Sequence, residues 1–287
     1  MYILDTSALR GISSKKLREV ASKFDVAVST LTVLELASHL NDSSSESSYL
    51  RARGNLIKCQ ITSLLDDPFC ALSRKLQSPA NPTRREDKII LDQLLAAAEQ
   101  SQTMAELGAK SLTYPDGRVA SCDSIGVRIS EILREEEELY VAHIQSLPPL
   151  AHLDPAENGK HCLTPIMLFE QLSVAAKSLS PLNDVDFQGR TFLASAPYFG
   201  YLTHRLYYYA NLRSPGETEL AIDRNDCEDA YILLNLDLFN DDTLVTNDKG
   251  TLQALRGTID LLNAILPVPL SQSCVMSGDE FLLHANS

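Results

Sequence analysis

A three-layer α/β/α fold with a central parallel sheet, interrupted by a mostly α-helical insertion, is predicted by three features of the chain. Residues 1–40 alternate strand, helix, strand, helix; residues 220–287 repeat that alternation; and 41–219 carry long stretches of helical spacing broken by turn-rich segments. Alternating short apolar strands and amphipathic helices favour parallel pairing, because each crossover lays a helix on the sheet face.

The opening YIL is a short apolar strand that runs into Asp5. KKLREVASKF has helical spacing through Leu17, Val20, Ala21 and Phe24, and DVAVS is a second buried strand. TLTVLELASHL follows as an apolar helix, with Ser29 or Thr30 placed to cap it. In the C-terminal part DAYILLNLDLF is a buried helix, DDTLVTND turns into a strand ending at Thr246-Asn247-Asp248, and KGTLQALRGTIDLLNAIL is the next helix. SCVMS is a last strand, and Ser277 with Glu280 has the S-x-x-E spacing of a capping box before GDEFLLH. Within 41–219, residues 87–107, 124–146, 165–179 and 190–211 show 3.6-residue periodicity, with Ser124 a candidate cap for the second. NDSSSESS, SPANPTRRED and SLPPLAHLDPAENGK supply the turns between them.

The balance of 44% hydrophobic and 22% charged residues suits a globular core. No basic, apolar leader opens the chain and no stretch approaches the roughly 18 apolar residues of a membrane span, so a cytoplasmic protein with no membrane partner is expected. Six cysteines lie far apart without a CxxC pair, and are expected as reduced, mostly buried thiols. The net charge of −13 argues against coating nucleic acid by bulk attraction. Much of it, −8, falls in residues 223–287, where acids would suit divalent cations.

Four acids stand where a carboxylate is costly. Asp5 and Asp248 end apolar strands, where ligands gather in parallel sheets; Glu35 lies in an otherwise apolar helix; and Asp229 heads another. Alone, Asp5 and Asp248 would be read as helix caps, Asp226 and Glu228 as acids favoured by the N-terminal end of a helix, and EEEE at 135–138 as a solvated face. Together, acids near buried positions need a counter-charge, and Mg²⁺ or Mn²⁺ held by oxygen ligands supplies one.

LDTSAL, the Glu of TVLELASHL, the NDxxD of residues 225–229, the TND of 246–248 and the closing GDEFL, in that order, resemble a PIN domain over about 100 of the 287 residues. The resemblance implies a Mg²⁺/Mn²⁺-dependent nuclease hydrolysing phosphodiester bonds, usually of single-stranded RNA. It implies a catalytic set of Asp5, Glu35, Asp229 and Asp248, the same residues with Asp226 as metal ligands, and Thr6 and Thr246 in support. The 193 residues between Glu35 and Asp229 set the chain apart from the compact toxin nucleases of that family. This insertion could shape the substrate groove, bind a partner or cover the site; beside nucleic acid, the partners expected are an inhibitor or partner protein and a second copy of the chain. The main alternative is a catalytically weak PIN-like scaffold that works as a protein-interaction module through its insertion. A phosphatase using an aspartate nucleophile is disfavoured because Ser7 stands where DxD needs an acid.

For substrate contact, the candidates are Arg51 and Arg53 of YLRARGNLIK and Arg84 and Arg85 of PTRREDK, clusters of positive charge in an acidic chain. The aromatic run APYFGYLTHRLYYYANLR could stack bases, but a helix packing the insertion onto the core is the favoured reading.

Overall fold

Five short strands, all parallel, form the centre of the protein, and helices make up most of the rest of the computed structural model. It describes residues 1–41, 45–78, 82–146, 160–179, 185–212 and 221–285. The N-terminal part contributes β1 (Tyr2–Leu4), α1 (Thr6–Gly11), α2 (Ser14–Ala21), β2 (Val26–Val28) and α3 (Thr30–Asn41). The C-terminal part contributes α11 (Asp226–Ile232), β6 (Thr243–Val245), α12 (Lys249–Asn263), β7 (Val275–Met276) and α13 (Gly278–His284). Strand order is β3-β2-β1-β6-β7, where β3 is Ser63–Leu64. In register, Tyr2, Ile3 and Leu4 pair with Val26, Ala27 and Val28 on one side and with Thr243, Leu244 and Val245 on the other. β1 is therefore central, which accounts for its uninterrupted apolar run.

β3 extends the sheet from inside the segment expected as an insertion. Two residues are too few to announce a strand by pattern, yet Ala27 and Val28 pair with Ser63 and Leu64. Three further helices of this segment, α4 (Glu46–Leu56), α6 (Pro82–Gln100) and α8 (Cys122–Ser146), bury Tyr49, Leu56, Leu91, Leu94, Ile129 and Leu133 in the same apolar core as the sheet. The boundary expected at residue 41 thus marks no break in the core. Two short helices, α5 (Pro68–Lys75) and α7 (Met104–Gly108), lie between these in the chain, and a small hairpin, β4 (Ser111–Thr113) with β5 (Val119–Ser121), leads into α8. α9 (Pro165–Leu179) packs on α10 (Val185–Leu212), and Leu168, Leu172 and Ala196 meet Leu262 of α12 in a second cluster.

The local signals account for most helix ends. Ser29 Oγ accepts from the Leu31 N–H, and Ser277 with Glu280 makes both bonds of its capping box. At α8 the cap is Ser121 rather than Ser124: Ser121 Oγ accepts from the Ser124 N–H because β5 runs directly into the helix. The aromatic run lies on α10, where Tyr201, Tyr207 and Tyr209 are buried, as the packing reading expected. All six cysteines are free thiols, five of them buried and Cys162 exposed.

Candidate acid-lined active site

Asp5 leaves the carboxyl end of β1 and becomes the N-cap of α1. Its carboxylate accepts from the Ala8 N–H at 2.7 Å, from Ser7 Oγ at 2.9 Å and from the hydroxyl of Thr246. Asp248 repeats the geometry after β6, capping α12 through the Thr251 N–H at 2.7 Å. Both acids are helix caps, as each residue alone suggested, and both also line a cavity of about 560 Å³. The cap of α12 uses one oxygen of Asp248 and leaves lone pairs for another partner, whereas both oxygens of Asp5 already accept from Ser7, Ala8 or Thr246.

Glu35 and Asp229 line that same cavity, as do Thr6, Arg10, Thr32, Glu137 and Glu228. Glu35 comes from α3, accepts from the Thr6 hydroxyl and lies 3.6 Å from an Arg10 guanidinium nitrogen. The elements after β1, β2 and β6 bring Asp5, Glu35 and Asp248 together, and α11, which precedes β6, adds Asp229, so acids spread over the length of the chain meet at one cavity. The sheet's carboxyl edge is where such residues converge.

Asn247 fixes the two flanking loops to each other. Its N–H donates to Ser7 Oγ at 2.7 Å, its side-chain amide donates to the Ser7 carbonyl at 3.2 Å, and its side-chain oxygen accepts from the Gly278 N–H at 3.0 Å. A side chain at Gly11 would meet that amide at 2.9 Å, so a larger residue there would require the Asn247 side chain to shift.

The charges are poorly compensated. Burial pushes the Asp5 carboxyl up to about 6, against the pull of its Thr246, Ala8 and Ser7 hydrogen bonds. Burial, then the charges of Asp248 and Asp5, push Asp229 to about 8. Burial, then the charges of Glu35 and Glu137, push Glu228 to about 9. Among the described residues the only lysine or arginine side chains lining the cavity are Arg10 and Arg134.

Three of these liners were not expected. The local pattern makes Glu228 a helix-dipole acid, but its position on α11 brings it to the cavity beside Asp229. Glu137 belongs to the EEEE run read as solvated; Glu135 and Glu138 are exposed and pair with Arg128 and Arg134, while Glu136 and Glu137 are half-buried. Arg134 reaches the cavity one turn before Glu137 on α8. Only the fold of α8 over the sheet edge reveals these roles.

Other expected site residues are engaged elsewhere. Asp226 does not line the cavity. It is buried and accepts from Arg205 Nε at 2.6 Å and from the Tyr209 hydroxyl, so it ties α11 to α10. Arg53 donates to the carbonyls of Ala98 at 2.7 Å and Glu99 at 2.6 Å, satisfying the C-terminal end of α6. Arg51 is exposed on α4 and is not among the cavity's lining residues. Arg84 and Arg85 fall within α6, but their side chains lie outside the described residues.

The donor set fits a hard divalent cation: carboxylates and hydroxyls, with excess negative charge. Thr32 lines the cavity, and its buried hydroxyl has no hydrogen-bond partner among the described residues. Among the described residues no three acid, histidine or cysteine side chains close around a single point tightly enough to enclose a bare ion. The cavity is wide enough for water to complete the shell, and Mg²⁺ ordinarily retains several waters. Comparison with known protein families, with characterised proteins and with solved structures returns no match to this chain.

Proposed function

We propose that this protein is a Mg²⁺- or Mn²⁺-dependent nuclease of PIN-like architecture that hydrolyses phosphodiester bonds, with single-stranded RNA as its substrate. The observation that carries the reading is the gathering of Asp5, Glu35, Asp229 and Asp248 around one cavity, with Glu228 and Glu137 adding to a negative charge that the protein leaves unbalanced. A structural core seldom accumulates such repulsion, whereas a site that takes up cations requires it.

Asp5, Glu35, Asp229 and Asp248 would hold the metal, which when bound supplies Lewis acidity toward the phosphoryl oxygens and a water of lowered pKa. The residues of the chain do the rest. Thr246, Ser7 and the Ala8 N–H lock the Asp5 carboxylate in one orientation, and the Thr6 hydroxyl does the same for Glu35. Arg10 of α1 and Arg134 of α8 both line the cavity and offer guanidinium donors to phosphate oxygens. A metal-assisted hydrolysis of this kind uses no side-chain nucleophile.

The test is cleavage of a labelled single-stranded RNA by purified protein with Mn²⁺, compared with Asp5→Asn and Asp229→Asn. Activity in the wild type and its loss in both variants support the reading; equal rates overturn it.

A second reading, in which the insertion serves as a protein-interaction module on an inactive scaffold, is favoured by an apolar groove of about 760 Å³ lined by Phe169, Phe192, Leu266 and Val268. It predicts no cleavage with either metal.

A further inference from the structure

The acid cavity shares a wall with a second cleft. Leu31 of α3 and Leu133 of α8 line both, and on their far side lies a space of about 410 Å³. That volume falls within the range of small-ligand sites. The chemistry changes sharply across the two leucines. The first space is lined by acids and hydroxyls, while the second presents the rings of Phe69, Tyr114 and Tyr231 with Ile90, Leu91 and Ile129.

The rim carries two arginines. The Arg118 guanidinium lies 4.8 Å from the centre of the Tyr114 ring, and Arg128 is held by Glu131 at 3.2 Å and Glu135 at 3.8 Å. Asp67 and Asp87 also line the cleft. Carboxylates among aromatic walls repel a phosphate but accept hydrogen bonds from the amino and imino N–H groups of a base. A single strand alternates anionic phosphate with flat, weakly hydrated base, and its bases can splay out and stack on aromatic side chains. The two adjoining spaces alternate in the same way.

We propose that this cleft is a base-binding subsite, which receives the nucleobase next to the phosphodiester seated in the acid cavity. The proposal rests on the nuclease reading for the identity of its neighbour. It also supplies a reason for single-strand preference, because a base held in a duplex cannot turn into the cleft.

The test is equilibrium binding of fluorescein-labelled single-stranded RNA to the full chain in EDTA, where hydrolysis cannot occur, with an abasic strand of the same length as control. Tyr114→Ala is expected to weaken RNA binding about ten-fold, to leave the abasic strand unaffected and to be rescued by Tyr114→Phe. Ile132 of α8 also lines the cleft, and Ile132→Trp, which fills it without removing a ring, is expected to weaken RNA binding in the same selective way. Unchanged RNA binding in both variants, or equal weakening for the abasic strand, overturns the subsite; in the first case the apolar cleft is left to a protein side chain. Base-selective binding by a wild type that cuts no RNA under Mn²⁺ supports the subsite and overturns the nuclease reading alone.

Discussion

Thr246 donates its hydroxyl hydrogen to the carboxylate of Asp5 across a separation of 241 residues. That one contact joins the loops after β1 and β6, the two neighbouring strands whose carboxyl ends carry Asp5 and Asp248. It also orients the acid that both the cap of α1 and the candidate site use.

Replacing the acids separates their two uses. Asparagine caps a helix about as well as aspartate, so Asp5→Asn keeps the bond from the Ala8 N–H and with it the start of α1. Asp5→Asn and Asp229→Asn are expected to lower Mn²⁺-dependent RNA cleavage by at least about a thousand-fold. In EDTA at about pH 8 or above, Asp229→Asn is expected to melt no lower than the wild type, because there it removes a charge that burial and Asp248 oppose. Cleavage assays and thermal melts of the same preparations check both halves.

The acids also set a pH dependence. Asp5, Asp229 and Glu228 titrate near 6, 8 and 9 in the fold, against ordinary values of 3.8, 3.8 and 4.5. A raised folded-state pKa means that the native protein binds more protons than the unfolded chain between the two values. Their contribution to stability is therefore complete below about pH 4 and declines as pH rises through about 6 to 9. The metal-free melting temperature is expected to fall over that window. Added Mn²⁺ should raise it more at about pH 8 than at about pH 6, since cations compete with protons for these ligands. A Mn²⁺ effect that is independent of pH would count against the cluster as the binding site.

Arg205 and Asp226 form a pair at 2.6 Å with side chains only 15% and 9% exposed. Arg205→Met leaves a buried carboxylate without its cation and is expected to cost about 3 kcal/mol in urea unfolding. The double variant Arg205→Met, Asp226→Asn should recover much of that loss. If Asp226 served the cavity instead, its own replacement would reduce metal affinity more than stability.

Two arginines give opposite expectations. Arg53→Met removes donors from the last carbonyls of α6 and should cost about 1 to 2 kcal/mol of stability without changing RNA affinity. Arg134→Gln, on an exposed face at the cavity, should leave stability within about 0.5 kcal/mol and raise the KM for RNA roughly ten-fold. Unfolding curves and steady-state kinetics distinguish them.

Much of the core was readable from the chain because its signals are local. Apolar runs gave β1, β2 and β6, and S-x-x-E at Ser277 gave the start of α13. The four acids were readable because a carboxylate at a strand end or in an apolar helix violates the local pattern. What stayed hidden depends on tertiary contact. β3 has two residues and is recognisable only through its pairing with β2. α1 spans six residues, too few for a period to show. Glu137 and Arg134 lie in a charged stretch like any solvated helix, and only the packing of α8 against α3 turns one of its faces toward the acids. Arg53 offered a charge without its geometry, and the carbonyls it satisfies lie 45 residues away.

Whether these acids form one site neutralised by a divalent cation is decided by calorimetric titration of Mn²⁺ into the metal-free protein at about pH 8, above the point at which the Asp5 carboxyl ionises. Saturable uptake is expected of the wild type, with uptake by Asp229→Asn weaker by about ten-fold or more. No saturable heat from the wild type, or an unchanged isotherm for the variant, would contradict such a site.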